Sequence, residues 1–196
     1  QKPACRLLNQ DSMATRICFI RHGETDWNAC KRIQGQTDIP LNATGRSQAQ
    51  ALAANAAQFV FSAIYSSDLQ RAVETAQCLA AGRGLAVQTL AQLRERHFGV
   101  FQGLTGAEVA QRDQAAYARY KARDMEFYFE TGESLQQLAT RVEQAVALLV
   151  AQHPGQTIAV VCHAGVLDVL YRKATGRTLQ SARDFDLPNC ALNWFR

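Results

Sequence analysis

Two histidines lie just after short apolar segments of the chain. His22 follows the β-branched and aromatic segment 15–20, and His163 follows the continuous apolar segment 157–162. Both segments are typical of buried β-strands. A histidine fixed at the end of a strand can act as a nucleophile or carry a proton near neutral pH. It can equally be structural, so neither histidine decides the function alone.

Arginines near these positions favour a negatively charged ligand. Arg21 precedes His22, and its planar guanidinium can grip two oxygens of a phosphate. Gly23 allows a close backbone approach or an unusual φ. Arg71 falls in the first turn of a predicted helix, where a positive charge opposes the helix dipole. An anionic ligand would explain that cation, and an ordinary solvated arginine is the alternative.

A helix start and a carboxylate complete the set of candidates. Ala164 and Gly165 begin the helix after the second histidine, and a helix N-terminus offers unpaired N–H groups to an anion. Glu95 lies in the segment LRERHFG, within a predicted loop at 93–106. Its carboxyl group could protonate the leaving group of a phosphoryl transfer. A surface salt bridge with Arg94 or Arg96 is the alternative.

Strands and helices alternate along the sequence. We expect strands at 15–20, 59–65, 85–88, 157–162 and 191–195. We expect helices at 42–57, 69–81, 107–125, 134–152 and 165–174, with Asp68 as the N-cap of the second. This alternation predicts an α/β fold, a three-layer α/β/α sandwich around a mostly parallel sheet. Ligands of such sheets bind beyond the carboxyl ends of the strands, where both histidines fall.

Composition and charge exclude several classes of protein. The chain has 196 residues, of which 47% are apolar and 19% charged, as expected for one globular domain. The net charge of +4 is spread without a dense basic stripe, so we expect no nucleic-acid partner. No apolar run approaches the ~20 residues of a membrane span, so we expect no membrane partner.

The cysteines and the N-terminal residues bear on location and domain limits. The six cysteines include no C-x-x-C pair and no zinc-site spacing, which predicts free, buried thiols and a cytoplasmic protein. The N-terminal residues lack the apolar segment of a signal peptide. We interpret residues 1–14 as an N-terminal extension or an artificial remnant. A single domain is expected over 15–196, with a cap region at about 97–132.

Four motifs taken together resemble the histidine phosphatase superfamily, in its phosphoglycerate-mutase-like group. They occur in the family's order between residues 15 and 195, and their combination is highly specific. The motifs are Arg21-His22-Gly23-Glu24-Thr25 with Asn28, Ser67-Asp68-Leu69 with Arg71 and Thr75-Ala76, Glu95, and His163-Ala164-Gly165.

The resemblance implies a catalytic role for five residues. His22 would be the nucleophile that forms a phosphohistidine, so its other ring nitrogen should donate to a backbone carbonyl. Arg21, Arg71 and His163 would surround the phosphoryl group and stabilise its transition-state charge. Glu95 would protonate the leaving group and later activate water.

Other matched positions are implied in binding. Asn28 would add a hydrogen bond in the phosphoryl pocket, beside the helix start at Ala164 and Gly165. The positions that match the family near the distal part of the substrate are Gln34, Gly35 and Arg96. The resemblance implies neither a metal nor an organic cofactor.

Three functions stay open at this point: a phosphatase of small phosphomonoesters, a phosphoglycerate mutase, and a non-catalytic phosphoryl-binding module. The module is disfavoured because every residue that the chemistry needs is present. Residues 95–99, ERHFG, are close to the ERHYG of the mutases, which favours a mutase. The region 107–132 is shorter than the mutases' insertion and contains no adjacent arginine pair. A mutase must keep water from its intermediate, and a short cap leaves the pocket open.

We therefore predict a phosphatase that acts, as a monomer or homodimer, on a small phosphorylated metabolite. The cap region that should select this substrate is rich in aromatic residues. They either pack the cap or form an apolar wall for an organic leaving group. These residues are Phe98, Phe101, Tyr117, Tyr120, Phe127, Tyr128 and Phe129.

Overall fold

The computed structural model describes residues 14–196, so the predicted extension lies outside the described residues except for Ala14. These residues include five strands: β1 (Arg16–Arg21), β2 (Ala63–Ser66), β3 (Val87–Thr89), β4 (Thr157–Cys162) and β5 (Leu192–Phe195). The helices are α1 (Asp26–Ala29), α2 (Ala43–Asn55), α3 (Gln70–Ala80), α4 (Gly106–Arg112), α5 (Gln114–Lys121), α6 (Leu135–Gln152) and α7 (Ala164–Ala174). Short 3₁₀ turns span Ala91–Leu93 and Gly99–Phe101.

The strands form one sheet in the order β3-β2-β4-β1-β5. The first four are parallel, and β5 pairs antiparallel with β1 at the edge. Arg21, the last residue of β1, lies opposite Cys162, the last residue of β4. Because these neighbouring strands end together, the residues that follow them are brought to one place.

Helices cover both faces of the sheet. Alternate residues of β1 point to opposite faces, as the two-residue period of a strand requires: Cys18 and Ile20 pack with α2 and α3, whereas Ile17 and Phe19 pack with α6 and α7. The strand β4 is buried on both sides, with Ile158 and Ala159 both fully inaccessible. The predicted α/β/α sandwich with a mostly parallel sheet is confirmed.

A separate apolar cluster holds the cap region together. Phe101, Phe127 and Phe129 are buried in it, with ring centroids of Phe101 and Phe129 4.5 Å apart and of Phe127 and Phe129 4.8 Å apart. Most of the aromatic residues therefore pack the cap, as the first of our two interpretations expected. Tyr128 is exposed.

The sequence-based boundaries of several elements are wrong. The predicted helix at 107–125 is two helices, because Asp113 ends α4 and its side chain caps α5 by accepting from Ala116 N at 2.8 Å. The predicted strand at 59–65 begins four residues later, as β2, because residues 56–59 continue the turn that ends α2. The third strand lies two residues later than predicted at its start. The segment after β1 contains the short helix α1, which is not among the helices we expected.

The N-cap of α3 was also predicted wrongly. It is Leu69 rather than Asp68. The N–H of Gln70, which has no partner within the helix, donates to Asp38 Oδ1 at 2.7 Å. A carboxylate from a distant loop therefore replaces the local cap. Asp68 instead accepts two hydrogen bonds from Arg94, at 2.7 and 2.6 Å.

The cysteines only partly match expectation. The five described cysteines are free, but only Cys18 and Cys162 are buried, and Cys30 is exposed. Within residues 14–196, no helix combines the length and apolar character that a bilayer crossing needs.

Candidate active site

The two predicted histidines meet where β1 and β4 end. His22 N donates to Cys162 O at 3.0 Å, which extends the ladder by one residue beyond the strands. The ring centroids of His22 and His163 lie 5.1 Å apart. Parallel pairing of the two strands thus brings together residues that are 141 positions apart in the sequence.

His22 is held in one tautomer. Its Nδ1 lies 2.6 Å from Gly23 O, and since a carbonyl only accepts, Nδ1 carries the proton. The Nε2 atom is then the unprotonated nitrogen, the form that a nucleophile needs. Burial, together with the charges of Arg71 and Arg21, lowers the pKa of His22 well below its ordinary value. The imidazole is therefore neutral at physiological pH.

Gly23 allows a close approach between two backbone segments. A Cβ there would lie 2.5 Å from Gly45 O, so a side chain would push α2 away from the end of β1. Gly23 N donates to Thr75 Oγ1 of α3 at 3.0 Å. Of the two explanations offered for this glycine, the close approach is the one observed; its φ is not positive.

Two arginines flank the histidines and are fixed by backbone carbonyls. Arg71 is fully buried and donates to Thr37 O at 2.9 Å and Gly35 O at 2.7 Å, so the alternative of a solvated arginine is wrong. Arg21 Nη1 donates to Leu187 O at 2.7 Å. Desolvation lowers the pKa of Arg71 to about 10, which still leaves it charged at neutral pH. The Nε atoms of both arginines are buried and have no partner among the described residues.

His163 is the N-cap of α7 and is fully buried. Neither of its ring nitrogens has a hydrogen-bond partner within the described chain. Burial and the nearby charge of Arg71 lower its pKa well below the ordinary value. His163 is not among the residues that line the cavity next to His22, so its predicted contact with a phosphoryl group stays a prediction.

Glu95 points to the start of α7. Its carboxylate accepts from Arg96 N at 2.8 Å and from Gly165 N at 3.0 Å. The salt-bridge alternative is not observed, because Arg94 pairs with Asp68, while Arg96 donates to Glu133 O and Phe127 O. The N–H of Gly165, which we expected to serve a phosphate, is occupied by this carboxylate.

Asn28 and Gln34 line the same cavity as His22. Asn28 Oδ1 accepts from Thr25 N at 3.2 Å within the capping box of α1. Gln34 Oε1 accepts from Thr25 Oγ1 at 2.8 Å. Thr25 thus fixes both amide oxygens, which turns each amide group in a defined direction. Gly35 adopts a φ of +55° beside them and offers its carbonyl to Arg71.

The cavity next to His22 has a volume of about 740 Å³. Ala164, Gly165 and Arg96 line it, and so do the aromatic side chains of Phe98 and Tyr120. Eight arginine and lysine side chains contribute to the wall, against two carboxylates, Glu95 and Asp168. Such a wall favours an anionic ligand.

Three of these cations lie at the rim, and sequence reasoning missed them. The side chains of Lys31, Lys121 and Arg183 are exposed and have no hydrogen-bond or ion-pair partner among residues 14–196. They come from the end of α1, the end of α5 and the segment between α7 and β5. None belongs to a recognisable motif, and only the fold brings them to one opening.

The comparison with protein families decides the assignment. Residues 17–196 match the family "Histidine phosphatase superfamily (branch 1)". The chain belongs to the histidine phosphatase superfamily. The predicted family, the fold class and the class of enzyme, a phosphoric monoester hydrolase, are thereby confirmed.

Relatives of this histidine phosphatase carry both phosphatase and mutase names. It is 40% identical to "Phosphoglycerate mutase-like protein 4" of Arabidopsis thaliana, over 97% of this chain and 83% of that protein. It is 39% identical to "Metal-independent phosphoserine phosphatase" of Arabidopsis thaliana, over 84% of this chain and 71% of that protein. A phosphoserine phosphatase of Entamoeba histolytica, solved in complex with 3-phosphoglyceric acid, superposes with a TM-score of 0.83 and 30% identity, covering 93% of this chain and 90% of that one.

The described part of this phosphatase contains no group of three or more His, Cys, Asp or Glu side chains arranged to hold a metal ion. The polar groups that converge beside His22 are instead the guanidinium groups of Arg21 and Arg71 and the carboxylate of Glu95.

Proposed function

We propose that this phosphatase hydrolyses small phosphomonoesters through a phosphoryl group carried on Nε2 of His22. The observation that carries the proposal is a neutral imidazole, held by Gly23 O, beside buried polar nitrogens that have no partner within residues 14–196. These are Nε of Arg21, Nε of Arg71 and both ring nitrogens of His163. Buried polar groups normally have partners, and phosphoryl oxygens would supply them.

The chemistry follows in two displacements. In the first, the Nε2 lone pair of His22 attacks phosphorus, the P–O bond to the leaving group breaks, and Glu95 gives a proton to the departing oxygen. In the second, water attacks the phosphohistidine, its proton passes to Glu95, the P–N bond breaks, and inorganic phosphate leaves. Covalent catalysis divides one difficult step into two easier ones. The arginines stabilise the charge of both transition states.

We further propose that the substrate is a small phosphorylated carboxylic acid. The phosphoryl group is served by Arg21 and Arg71, which leaves Lys31, Lys121 and Arg183 at the rim for a second anionic group. The names of the relatives support this class, since phosphoserine and 3-phosphoglycerate are both phosphorylated carboxylic acids.

Phosphatase is favoured over mutase by the cap. It consists of the two short helices α4 and α5 and their flanking loops, and it leaves a cavity of about 740 Å³ with exposed residues at its rim. A mutase has to retain its intermediate away from water. The mutase alternative keeps support from the segment Glu95 to Gly99 and from the name of the relative with 40% identity.

Phosphorus NMR of the protein with 3-phosphoglycerate and a trace of 2,3-bisphosphoglycerate separates the two activities. We expect inorganic phosphate to accumulate without 2-phosphoglycerate. Rapid growth of 2-phosphoglycerate with little free phosphate would establish a mutase and overturn the argument from the short cap.

The covalent intermediate is tested by rapid acid-free quenching with ³²P-labelled substrate. Wild-type protein should acquire acid-labile label, and His22→Ala should acquire none and lose turnover by more than about 1,000-fold. Arg46→Gln, which breaks the surface pair Arg46–Glu74, is the control and should label normally. Labelling of His22→Ala at the wild-type level would remove His22 from the role of nucleophile.

We also propose that the enzyme works in the cytoplasm, as a monomer or homodimer. The unpaired state of the five described cysteines supports a reducing compartment. Sedimentation velocity under reducing conditions distinguishes monomer from dimer, and a larger assembly would contradict the proposal.

A further inference from the structure

Glu133 and Arg141 form a bidentate ion pair at the start of α6. Arg141 Nε lies 2.8 Å from Glu133 Oε1, and Arg141 Nη2 lies 2.8 Å from Glu133 Oε2. The side chain of Arg141 is only 20% exposed and that of Glu133 only 15%. Glu133 immediately precedes Ser134, the N-cap of α6, and Arg141 lies two turns into that helix. Such a paired geometry fixes both side chains in one orientation.

The remaining donors of Arg141 hold the backbone of the loop that carries Glu95. Nη1 donates to Gln92 O at 2.6 Å and to Arg94 O at 2.9 Å, and Nη2 approaches Glu95 O at 3.4 Å. One guanidinium therefore binds three carbonyl groups on the N-terminal side of the loop while its carboxylate partner fixes its plane.

Glu133 holds the other side of the same loop. Its Oε2 accepts from His97 N at 3.3 Å, its backbone N donates to His97 O at 2.8 Å, and its carbonyl accepts from Arg96 Nε at 2.8 Å. The pair thus grips the chain immediately before and after Glu95. Gln36 Nε2 also donates to Glu95 O, at 3.1 Å.

Neither member of the pair can touch the substrate. The cavity beside His22 is lined by Glu95 but not by Glu133 or Arg141, which lie in a separate surface recess. Any effect of the pair on the reaction is therefore indirect, through the backbone of the loop that carries Glu95 and Arg96. A proton donor has to stay within hydrogen-bond reach of the leaving oxygen, and a displacement of about 1 Å can cost about 100-fold in rate.

We propose that Glu133 and Arg141 are positioning residues that hold Glu95 in place for proton transfer. The proposal rests on the proposed role of Glu95 in hydrolysis. The pair acts on the backbone of residues 92–97, whereas the carboxylate itself is aimed by Arg96 N and Gly165 N. Loss of the pair leaves the contacts that hold His22, Arg21 and Arg71 in place, since none of them involves Glu133 or Arg141, and frees the segment that carries the proton donor.

The test compares two aryl substrates, p-nitrophenyl phosphate and phenyl phosphate. Both are aryl phosphates, but phenolate is the more basic leaving group and needs protonation more. We expect Arg141→Gln to lower kcat/KM for phenyl phosphate about 10- to 100-fold, a part of what general acid catalysis supplies, and for p-nitrophenyl phosphate less than about 3-fold. Arg141→Lys, which keeps the charge but not the fork, should show a smaller loss with the same substrate dependence.

Two controls separate positioning from stability. Leu149→Ala removes a buried side chain from the same helix, two turns beyond Arg141. It should lower the melting temperature without changing the ratio of the two substrates. If Arg141→Gln does not fold, Arg141→Lys decides the question by the same ratio. Equal slowing of both substrates by either variant would overturn the proposal.

A double-mutant cycle with Glu95→Gln makes the outcomes distinguishable. Where Glu95 is the proton donor, Glu95→Gln slows phenyl phosphate far more than p-nitrophenyl phosphate. Adding Arg141→Gln should then change kcat/KM by less than about 2-fold, since no proton donor is left to position. Full additivity would refute the positioning role alone. Equal slowing of both substrates by Glu95→Gln would refute the proposed role of Glu95 itself.

Discussion

The strand-end pocket and the rim of the cap both present cations to the same cavity, but they hold them differently. Around His22, Arg21 and Arg71 donate to the carbonyls of Leu187, Gly35 and Thr37 and are largely withdrawn from solvent. At the rim, the side chains of Lys31, Lys121 and Arg183 are exposed and have no hydrogen-bond or ion-pair partner in the described chain. The first arrangement is rigid before any ligand arrives, and the second is not.

This difference matches the chemistry proposed for the two regions. A group that reacts in every turnover benefits from charges fixed in advance, because preorganised charges need no rearrangement in the transition state. A group that only distinguishes one substrate from another can be bound by mobile, solvated cations, which contribute little each and are screened by salt. The strand ends should therefore govern turnover of all substrates, and the rim should govern selectivity.

The largest effect that tests this division is expected from Gly165→Ala. A Cβ on Gly165 would lie 2.1 Å from Glu95 Oε1, so the carboxylate must turn away and lose its hydrogen bond to Gly165 N. The backbone of α7 tolerates alanine, because the φ of Gly165 is not positive. We expect kcat/KM for phenyl phosphate to fall about 100-fold, while alanine preserves or raises the melting temperature by its better helix propensity.

The contrast between activity and stability is what makes this variant informative. Glu95→Gln serves as the reference, and Gly165→Ala should reproduce its preference for p-nitrophenyl phosphate over phenyl phosphate. Wild-type activity with both substrates would mean that the carboxylate does not need its present position, and the strand-end pocket would be less rigid than the geometry indicates.

A second, smaller effect concerns pH. Burial lowers the pKa values of His22 and His163 well below the ordinary value. As the pH falls, these histidines therefore bind protons in the unfolded chain but stay neutral in the folded protein. Their contribution to stability is complete above the unfolded-state pKa of about 6.5 and decreases as the pH falls below it, by about 1 kcal/mol per histidine per pH unit. Urea unfolding at pH 7.5, 6.5 and 5.5 should show this loss.

The variant His22→Gln removes one of the two titrating groups and should roughly halve the slope between pH 6.5 and 5.5. If the free energy of unfolding stayed level or rose as the pH fell from 6.5 to 5.5, the strand-end histidines would not be buried as neutral groups. The rim cannot produce the effect, because its cations stay charged throughout the range.

The sequence predicted the strand-end pocket far better than it predicted the cap. Periodicity and β-branched residues located β1 and β4 almost to the residue, and parallel pairing then required His22 and His163 to meet. The N-cap of α3 could not be predicted locally, because the group that serves Gln70 N is Asp38, from a loop 32 residues away. The break between α4 and α5 was missed because an exposed aspartate such as Asp113 is also common within helices.

Within the site, the same limit separates local from long-range contacts. The chemistry of a histidine nucleophile predicted that one ring nitrogen of His22 donates to a backbone carbonyl, and the acceptor is the carbonyl of the next residue. The contact between Glu95 and Gly165 joins segments 70 residues apart, so we assigned that N–H to the substrate instead. Arg183 and Lys121 belong to no motif and reach the cavity only through the folding of the cap and of the segment before β5.

The smallest expected effect falls on the rim. The substrates 3-phosphoglycerate and glycerol 3-phosphate differ by a carboxylate against a hydroxymethyl group, so they isolate the second anionic group. We expect Arg183→Gln to raise KM for 3-phosphoglycerate about 3- to 5-fold, which corresponds to the binding free energy of one exposed ion pair. KM for glycerol 3-phosphate should change less than about 2-fold, and kcat should be unchanged for both. The advantage of the carboxylate should also shrink at high salt. Lys173→Gln removes the same charge outside the cavity, at the surface pair with Glu143, and should affect neither substrate selectively.

If Arg183→Gln instead lowered kcat for both substrates alike, the rim would belong to the catalytic apparatus, and the division between a rigid pocket and a selective rim would fail.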